Sequence, residues 1–322
     1  MPQTPRTSAF ARYCWAVLAW NVAVVLWGAV VRATGSGAGC GSHWPRCNGR
    51  VIPPSPSVQT LVELTHRLMT GVDGFMVLAL LVLAWRLYPR RSPVRTGAAL
   101  SAFFLVTEAL IGAALVKLDL VADSRSPDRV WWMSLHLVNT FLLLGALTLA
   151  AWWASGWPRV RLRGQGAAAW LMLSAVAATL VVAVTGAITA LGDTLYPKTA
   201  VGLGMSATAT FLERLRIVHP VVAIATVLYV VLAGTVVRRL RPGPMTARLS
   251  RRLVALFVAQ LLVGAFNVAL LAPVWMQIVH LLVADVVWIT LVCTTAAALA
   301  EPDPAALGEV YPERAAAGPA PV

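Results

Sequence analysis

Four histidines occupy matching positions in this chain of 322 residues: His66, His136, His219 and His280. Each falls within roughly the first two turns of a long apolar segment, and the segments concerned are the second, fourth, sixth and eighth in order. A histidine in hydrocarbon is costly and marks either chemistry or a specific pairing. Neutral imidazole is also a good ligand for a transition metal. Four such rings at one depth, two in each half of the chain, suit two haem irons with two axial histidines each. They suit one zinc ion less well, because zinc gathers about four ligands around a single point and these residues divide into two pairs. The plainer alternative is four core histidines hydrogen-bonded between helices.

Other reactive groups lie close to these rings. Glu63 and His66 are three residues apart and share a helical face. A carboxylate there would sit about one turn outward of the ligand, over the haem edge, where it can take a proton or stabilise a developing cation. It can also be read as an acid favoured by a helix N-terminus. Aligning His219 with His66 places Arg216 where Glu63 stands. An arginine suits the propionates of a haem but not proton abstraction, or else it snorkels to water. Arg32 and Arg67 are further propionate candidates. Cys40 and Cys47 have six residues between them in a loop and can close as a disulfide where oxidation is permitted. Such a bond either staples the loop over the first haem or passes electrons. His43 lies between them, but a Cys-His-Cys set lacks a fourth ligand for zinc. Asp73 stands two turns inward of His66, and is expected to be neutral or hydrogen-bonded to Glu108 or a threonine.

Positioning these groups requires membrane helices. The chain is 59% hydrophobic and 12% charged, with a mean hydropathy of +0.75, a composition of polytopic membrane proteins. Eight stretches are of the length that crosses ~30 Å of hydrocarbon. They are 14–33, 64–87, 97–118, 131–153, 168–191, 215–238, 252–271 and 275–299. The first is too long and too late-ending for a signal peptide and is read as a helix. The net charge of +13 comes from arginines in short loops between apolar runs. That is the positive-inside pattern and not a nucleic-acid-binding face. The loops around Arg90, Arg161 and Arg241 are therefore expected to be cytoplasmic, with residues 1–13 and both termini inside. Residues 154–167 form a cytoplasmic linker. Residues 300–322, rich in Ala, Pro and acid, read as a disordered cytoplasmic tail. All four histidines then lie near the outer face.

The two halves resemble each other. Trp132-Met133 precedes His136 as Trp275-Met276 precedes His280. Glu108 and Gly112 match Gln260 and Gly264 at the same spacing, and Gly28-Ala29 matches Gly186-Ala187. With four helices per copy, both copies run the same way, giving a parallel internal repeat. The fold class is therefore an all-α polytopic membrane protein of two tandem four-helix bundles, 14–153 and 168–299. In an up-down bundle the second and fourth helices are diagonal. With neighbours ~8–10 Å apart the diagonal is roughly 11–14 Å, a gap that holds a haem between one histidine from each side. His66 thus pairs with His136, and His219 with His280.

These residues resemble the haem A synthase family. The stretch GAVVRATGSGAGCGSHWPRCNG, Gly28 to Gly49, is similar to that family's first external loop. ELTHRL, Glu63 to Leu68, is similar to its second-helix motif, and the histidines of helices 4, 6 and 8 complete the likeness over residues 14–299. The resemblance implies a membrane enzyme that oxidises the C8 methyl of haem O to a formyl group, giving haem A for cytochrome oxidase. It implies substrate haem between His66 and His136, a cofactor haem b on His219 and His280, and Glu63 as the catalytic glutamate. Partners implied are haem O synthase, cytochrome oxidase and an electron donor that the sequence does not name. Some relatives carry a second cysteine pair after helix 5; residues 192–213 contain none, so a mechanism needing two pairs is excluded. Two routes stay open at a bis-histidine substrate iron: one ligand leaves, or electrons are withdrawn through the iron and water attacks the methyl. The competing functions are a di-haem electron carrier, which would not need Glu63, and a transporter with histidines as proton relays.

Overall fold

The computed structural model describes residues 5–196 and 207–300. Among them are eight α-helices: α1 Pro5–Ala33, α2 Val58–Leu87, α3 Pro93–Lys117, α4 Pro127–Ala154, α5 Ala167–Leu195, α6 Ala207–Leu240, α7 Pro244–Ala269 and α8 Val274–Ala298. All eight are long and apolar enough to cross a membrane. The chain is an all-α, multi-pass membrane protein. The tail expected to be disordered lies outside the described residues.

Most helices start earlier than the apolar stretches, by four residues in α3 and α4 and by eight or nine in α6, α7 and α1. Hydropathy marks the part of a helix that faces hydrocarbon, whereas the backbone begins wherever its first amides are capped. Ser92 and Ser126 accept from the amides of Val94 and Asp128, each followed by a proline that opens the helix. Ser57 does the same for Thr60 at the start of α2. Serine at the cap and proline at the first position are strong start signals. His66 and His136 consequently sit just over two turns inside their helices and His219 just over three, while His280 stays within the first two.

Within residues 5–154 the helices contact in the cycle α1, α2, α3, α4, which leaves α2 and α4 diagonal. The cycle α5, α6, α7, α8 leaves α6 and α8 diagonal in the same way. The two groups pack along a seam of α1 and α4 against α5 and α8, with α4 the most thoroughly buried helix. Trp288 donates to the Phe141 carbonyl across that seam at 2.7 Å, its ring edge-on to Phe141.

A ladder at heptad spacing joins α1 to α2. Tyr13, Trp20 and Trp27 donate to the carbonyls of Met76, Met69 and Val62, at 2.8, 3.3 and 3.0 Å. Seven residues are close to two helical turns, so antiparallel partners meet at every second turn. Asn21, beside the middle rung, donates to Asp73 at 2.6 Å. Asp73 is fully buried, and its partner is this amide of α1, not Glu108 or a threonine. The nearer helix supplies the donor, because α1 packs on the face of α2 that carries Asp73.

Candidate functional site

Every even-numbered helix brings its histidine against a glycine of the helix before it. A Cβ on Gly28 would lie 3.0 Å from Cε1 of His66, one on Gly186 would lie 2.9 Å from Cε1 of His219, and one on Gly264 would lie 3.0 Å from Cε1 of His280. At Gly112 the corresponding distance to His136 is 3.7 Å, an ordinary contact. Three of the four rings therefore lie so close to the glycine backbone that a side chain there would have to displace them. All four histidines are partly buried. Because the helices alternate in direction, the four lie toward one end of the molecule, the end that carries the loop between α1 and α2.

His66 and His136 are within electrostatic range of each other, as are His219 and His280. Each pair comes from diagonal helices of one group. Such an arrangement suits axial ligation of a planar macrocycle. Two of the rings have their Nδ1 directed. That of His136 lies 3.2 Å from Oε1 of Glu108, in ion-pair range though off the line of a straight hydrogen bond. That of His219 is 3.1 Å from the hydroxyl of Thr185. Nδ1 of His66 and of His280 is buried with no hydrogen-bond partner.

Glu63, one turn from His66, is buried at 4% exposure. Its Oε2 accepts from the backbone N–H of Cys40 at 2.8 Å. Its Oε1 is ion-paired with Arg67, whose Nε donates at 3.1 Å. The α1–α2 loop is pressed onto the first turns of α2: Thr60 donates to the Gly39 carbonyl at 2.7 Å. A Cβ on Gly39 would fall 2.4 Å from the Gln59 carbonyl oxygen, so only glycine permits this approach. Cys40 and Cys47 are joined by a disulfide in this loop, and both are buried.

Each of the three arginines assigned to propionates already has partners within the protein. Arg67 donates from Nη1 to the carbonyls of His43 and Arg46, at 2.6 and 2.7 Å, and from its remaining nitrogens to Glu63. Arg32 crosses the seam. It donates to the Ala190 carbonyl, the Thr194 hydroxyl and Oε1 of Gln277, each at 2.8 Å. Arg216 pairs with Asp193 at 2.8 Å and donates to the Tyr196 carbonyl at 2.6 Å. For Arg216 the cause is the end of α5: carbonyls in the last turn of a helix have no partner within it and carry the negative end of its dipole.

The residue that sequence reasoning passed over is Glu108. It appeared as a repeat marker matched with Gln260 and as a possible partner of Asp73, not as a neighbour of His136. In the structure it faces His136 and accepts from Asn139 at 2.6 Å and from Thr140. A signal existed: an acidic residue inside an apolar helix is costly unless paired, and Asn139 and Thr140 follow His136 on the neighbouring helix.

Residues 11–292 match the family of cytochrome oxidase assembly proteins designated COX15-CtaA. The chain belongs to that family. Two proteins from strains of Thermus thermophilus, each named protoheme IX farnesyltransferase, are 52% identical to it over 301 residues. That similarity takes in 92% of this chain and 50% of each relative, so the chain spans about half the length of these relatives. A Bacillus mycoides protein named heme A synthase is 48% identical over 93 residues, which is 29% of this chain and 30% of that protein.

Proposed function

We propose that this family member is a membrane oxidoreductase that converts haem O to haem A by oxidising the C8 methyl of the macrocycle to a formyl group. The observation that carries the reading is an asymmetry between two otherwise matched histidine pairs. Carboxylates, Glu63 and Glu108, flank the first pair; Arg216 and Gln260 stand at the corresponding positions of the second. We read the two halves as a parallel tandem repeat in which one copy does chemistry and the other carries electrons.

In this reading His66 and His136 flank haem O as substrate, and His219 and His280 ligate a resident haem b. The residues fit that cofactor. The glycines at 186 and 264 leave room for the two rings, Thr185 directs Nδ1 of His219 so that its Nε2 is left for a metal, and His280 keeps a buried Nδ1 unpartnered. Bound there, haem b supplies reversible one-electron transfer. With the oxygen atom taken from water, turning a methyl into a formyl releases four electrons and four protons, so a proton acceptor near the first pair is required. Glu63 suits that role. Cys40 and Arg67 hold its two oxygens in place about one turn from His66, away from bulk water. Arg67 orients Glu63, and the Cys40–Cys47 loop covers this end of α2. We place the protein in the cell membrane with both termini cytoplasmic and both haem sites near the outer face. Its partners in this scheme are haem O synthase, cytochrome oxidase and a redox partner.

The name of the Thermus relatives favours a second reading, farnesyl transfer to protohaem. That reaction ionises a diphosphate, which calls for divalent cations held by carboxylates. Among the described residues no three or more of His, Cys, Asp and Glu converge as metal ligands. We assign the farnesyl-transfer name to the half of those relatives that this chain does not span. One experiment separates the readings. The protein is expressed in cells that make haem O but lack haem A, and the extracted haems are separated by chromatography. Appearance of haem A supports the oxidoreductase. Haem B alone on the purified protein, with no haem A in the cells, supports the electron carrier. Haem O formed from haem B and farnesyl diphosphate by the purified protein supports the transferase.

A further inference from the structure

Glu108 lies on α3 one turn before Gly112, the glycine against which the His136 ring rests. Its Oε1 approaches His136 Nδ1 at 3.2 Å and accepts from the Thr140 hydroxyl. Its Oε2 accepts from Asn139 at 2.6 Å. Asn139 is itself held: it accepts from Thr107 at 2.7 Å and donates to the Phe104 carbonyl at 2.8 Å. One turn of α4 is thus closed around a single carboxylate of α3. In the second half the equivalent residue is Gln260, whose amide nitrogen donates to the His280 carbonyl at 3.1 Å and stands 3.5 Å from Nε2 of the ring, leaving Nδ1 without a partner. The positions matching Asn139 and Thr140 are Val283 and Ala284, which have no side-chain donor.

We infer that Glu108 is a positioning residue that directs Nδ1 of His136 and leaves Nε2 for the substrate haem, setting that site at a lower reduction potential than the haem b site. The inference rests on the functional reading above and adds to it the direction of electron flow. A carboxylate that receives the Nδ1 proton of a ligating imidazole makes the imidazole a stronger electron donor. A more basic axial ligand favours the oxidised iron. Nδ1 of His280 has no such acceptor. The substrate site therefore passes electrons downhill toward the second haem, which is the direction an oxidation of the first macrocycle demands.

The test uses the purified full-length protein, loaded with haem B at both sites and titrated potentiometrically with optical detection. Wild type is expected to show two midpoints, the lower one depending on His136. Glu108→Gln keeps the shape of the side chain and should raise the lower midpoint while leaving the upper one in place. If Glu108 only braces α3 against α4, Glu108→Gln loses thermal stability but moves neither midpoint, and the inference falls. Should Glu108→Gln fail to retain haem, Glu108→Asp decides: it keeps the charge but draws it back from Nδ1 of His136, and a lower midpoint that stays at the wild-type value overturns the inference. A wild-type protein that never loads haem in a His136-dependent way removes the substrate-site reading, and the inference with it.

Discussion

The carboxylate of Glu63 accepts a 2.8 Å hydrogen bond from the backbone N–H of Cys40. Through that bond the disulfide loop and the helix that carries His66 become one unit. The loop cannot shift without moving Glu63, and Glu63 cannot change partner without loosening the loop. Arg67 closes the same unit from its other side by holding Glu63 and two loop carbonyls together.

Glu63→Gln is expected to lower haem A formation about 100-fold or more, the scale of a lost acid–base group, with haem b still bound. The amide keeps the shape of the side chain. It cannot satisfy both the Cys40 amide and the Arg67 guanidinium, since one of its two ends is itself a donor. Haem O or a partly oxidised alcohol should accumulate in the cells. Wild-type haem A in the extracted pigments would remove Glu63 from the mechanism.

Cys40 and Cys47 should resist thiol labelling in the unreduced native protein and react after reduction. Replacing both with serine should reduce haem A formation by freeing the loop around Glu63, while the haem b spectrum stays as in wild type. Two labelled thiols without reduction would contradict the pairing.

His219→Ala or His280→Ala should lose the tightly bound haem b, since an apolar side chain cannot take the axial position. Gly186→Ala should weaken it too, because the new methyl would sit 2.9 Å from the His219 ring. Gly112→Ala, with 3.7 Å to His136, should retain haem at both sites. Pigment-to-protein ratios check all four, and an intact b-type spectrum in both histidine variants would relocate the second site.

Arg32→Ala should lower the thermal unfolding midpoint in detergent without removing haem b. The substitution strips a donor from the Ala190 carbonyl, Thr194 and Gln277 at once. Losing a typical hydrogen bond costs roughly 0.5–1.5 kcal/mol, and Oε1 of the part-buried Gln277 loses the donor that Arg32 gives it. An unchanged midpoint would show that the seam is held by its apolar contacts alone.

The eight helices and the register of the four histidines were legible in the chain because both are local properties. An apolar run of about twenty residues announces a span, and alternation of direction puts all even helices the same way round. The glycine matches between the halves were visible as a spacing, and the structure shows what they have in common, a contact with a histidine of the next helix. What the chain alone left undecided was partnership. Arg32, Arg67 and Arg216 each read as a cation near a haem, and each found an acceptor elsewhere: the end of α5, the loop carbonyls, Glu63, Asp193. Asp73 found Asn21, and Glu108 found His136. A polar side chain in a membrane helix must be satisfied by whatever neighbour the packing brings within about 3 Å. That choice depends on how each helix is rotated and how far its end projects, which are properties of the assembled bundle and not of any one segment.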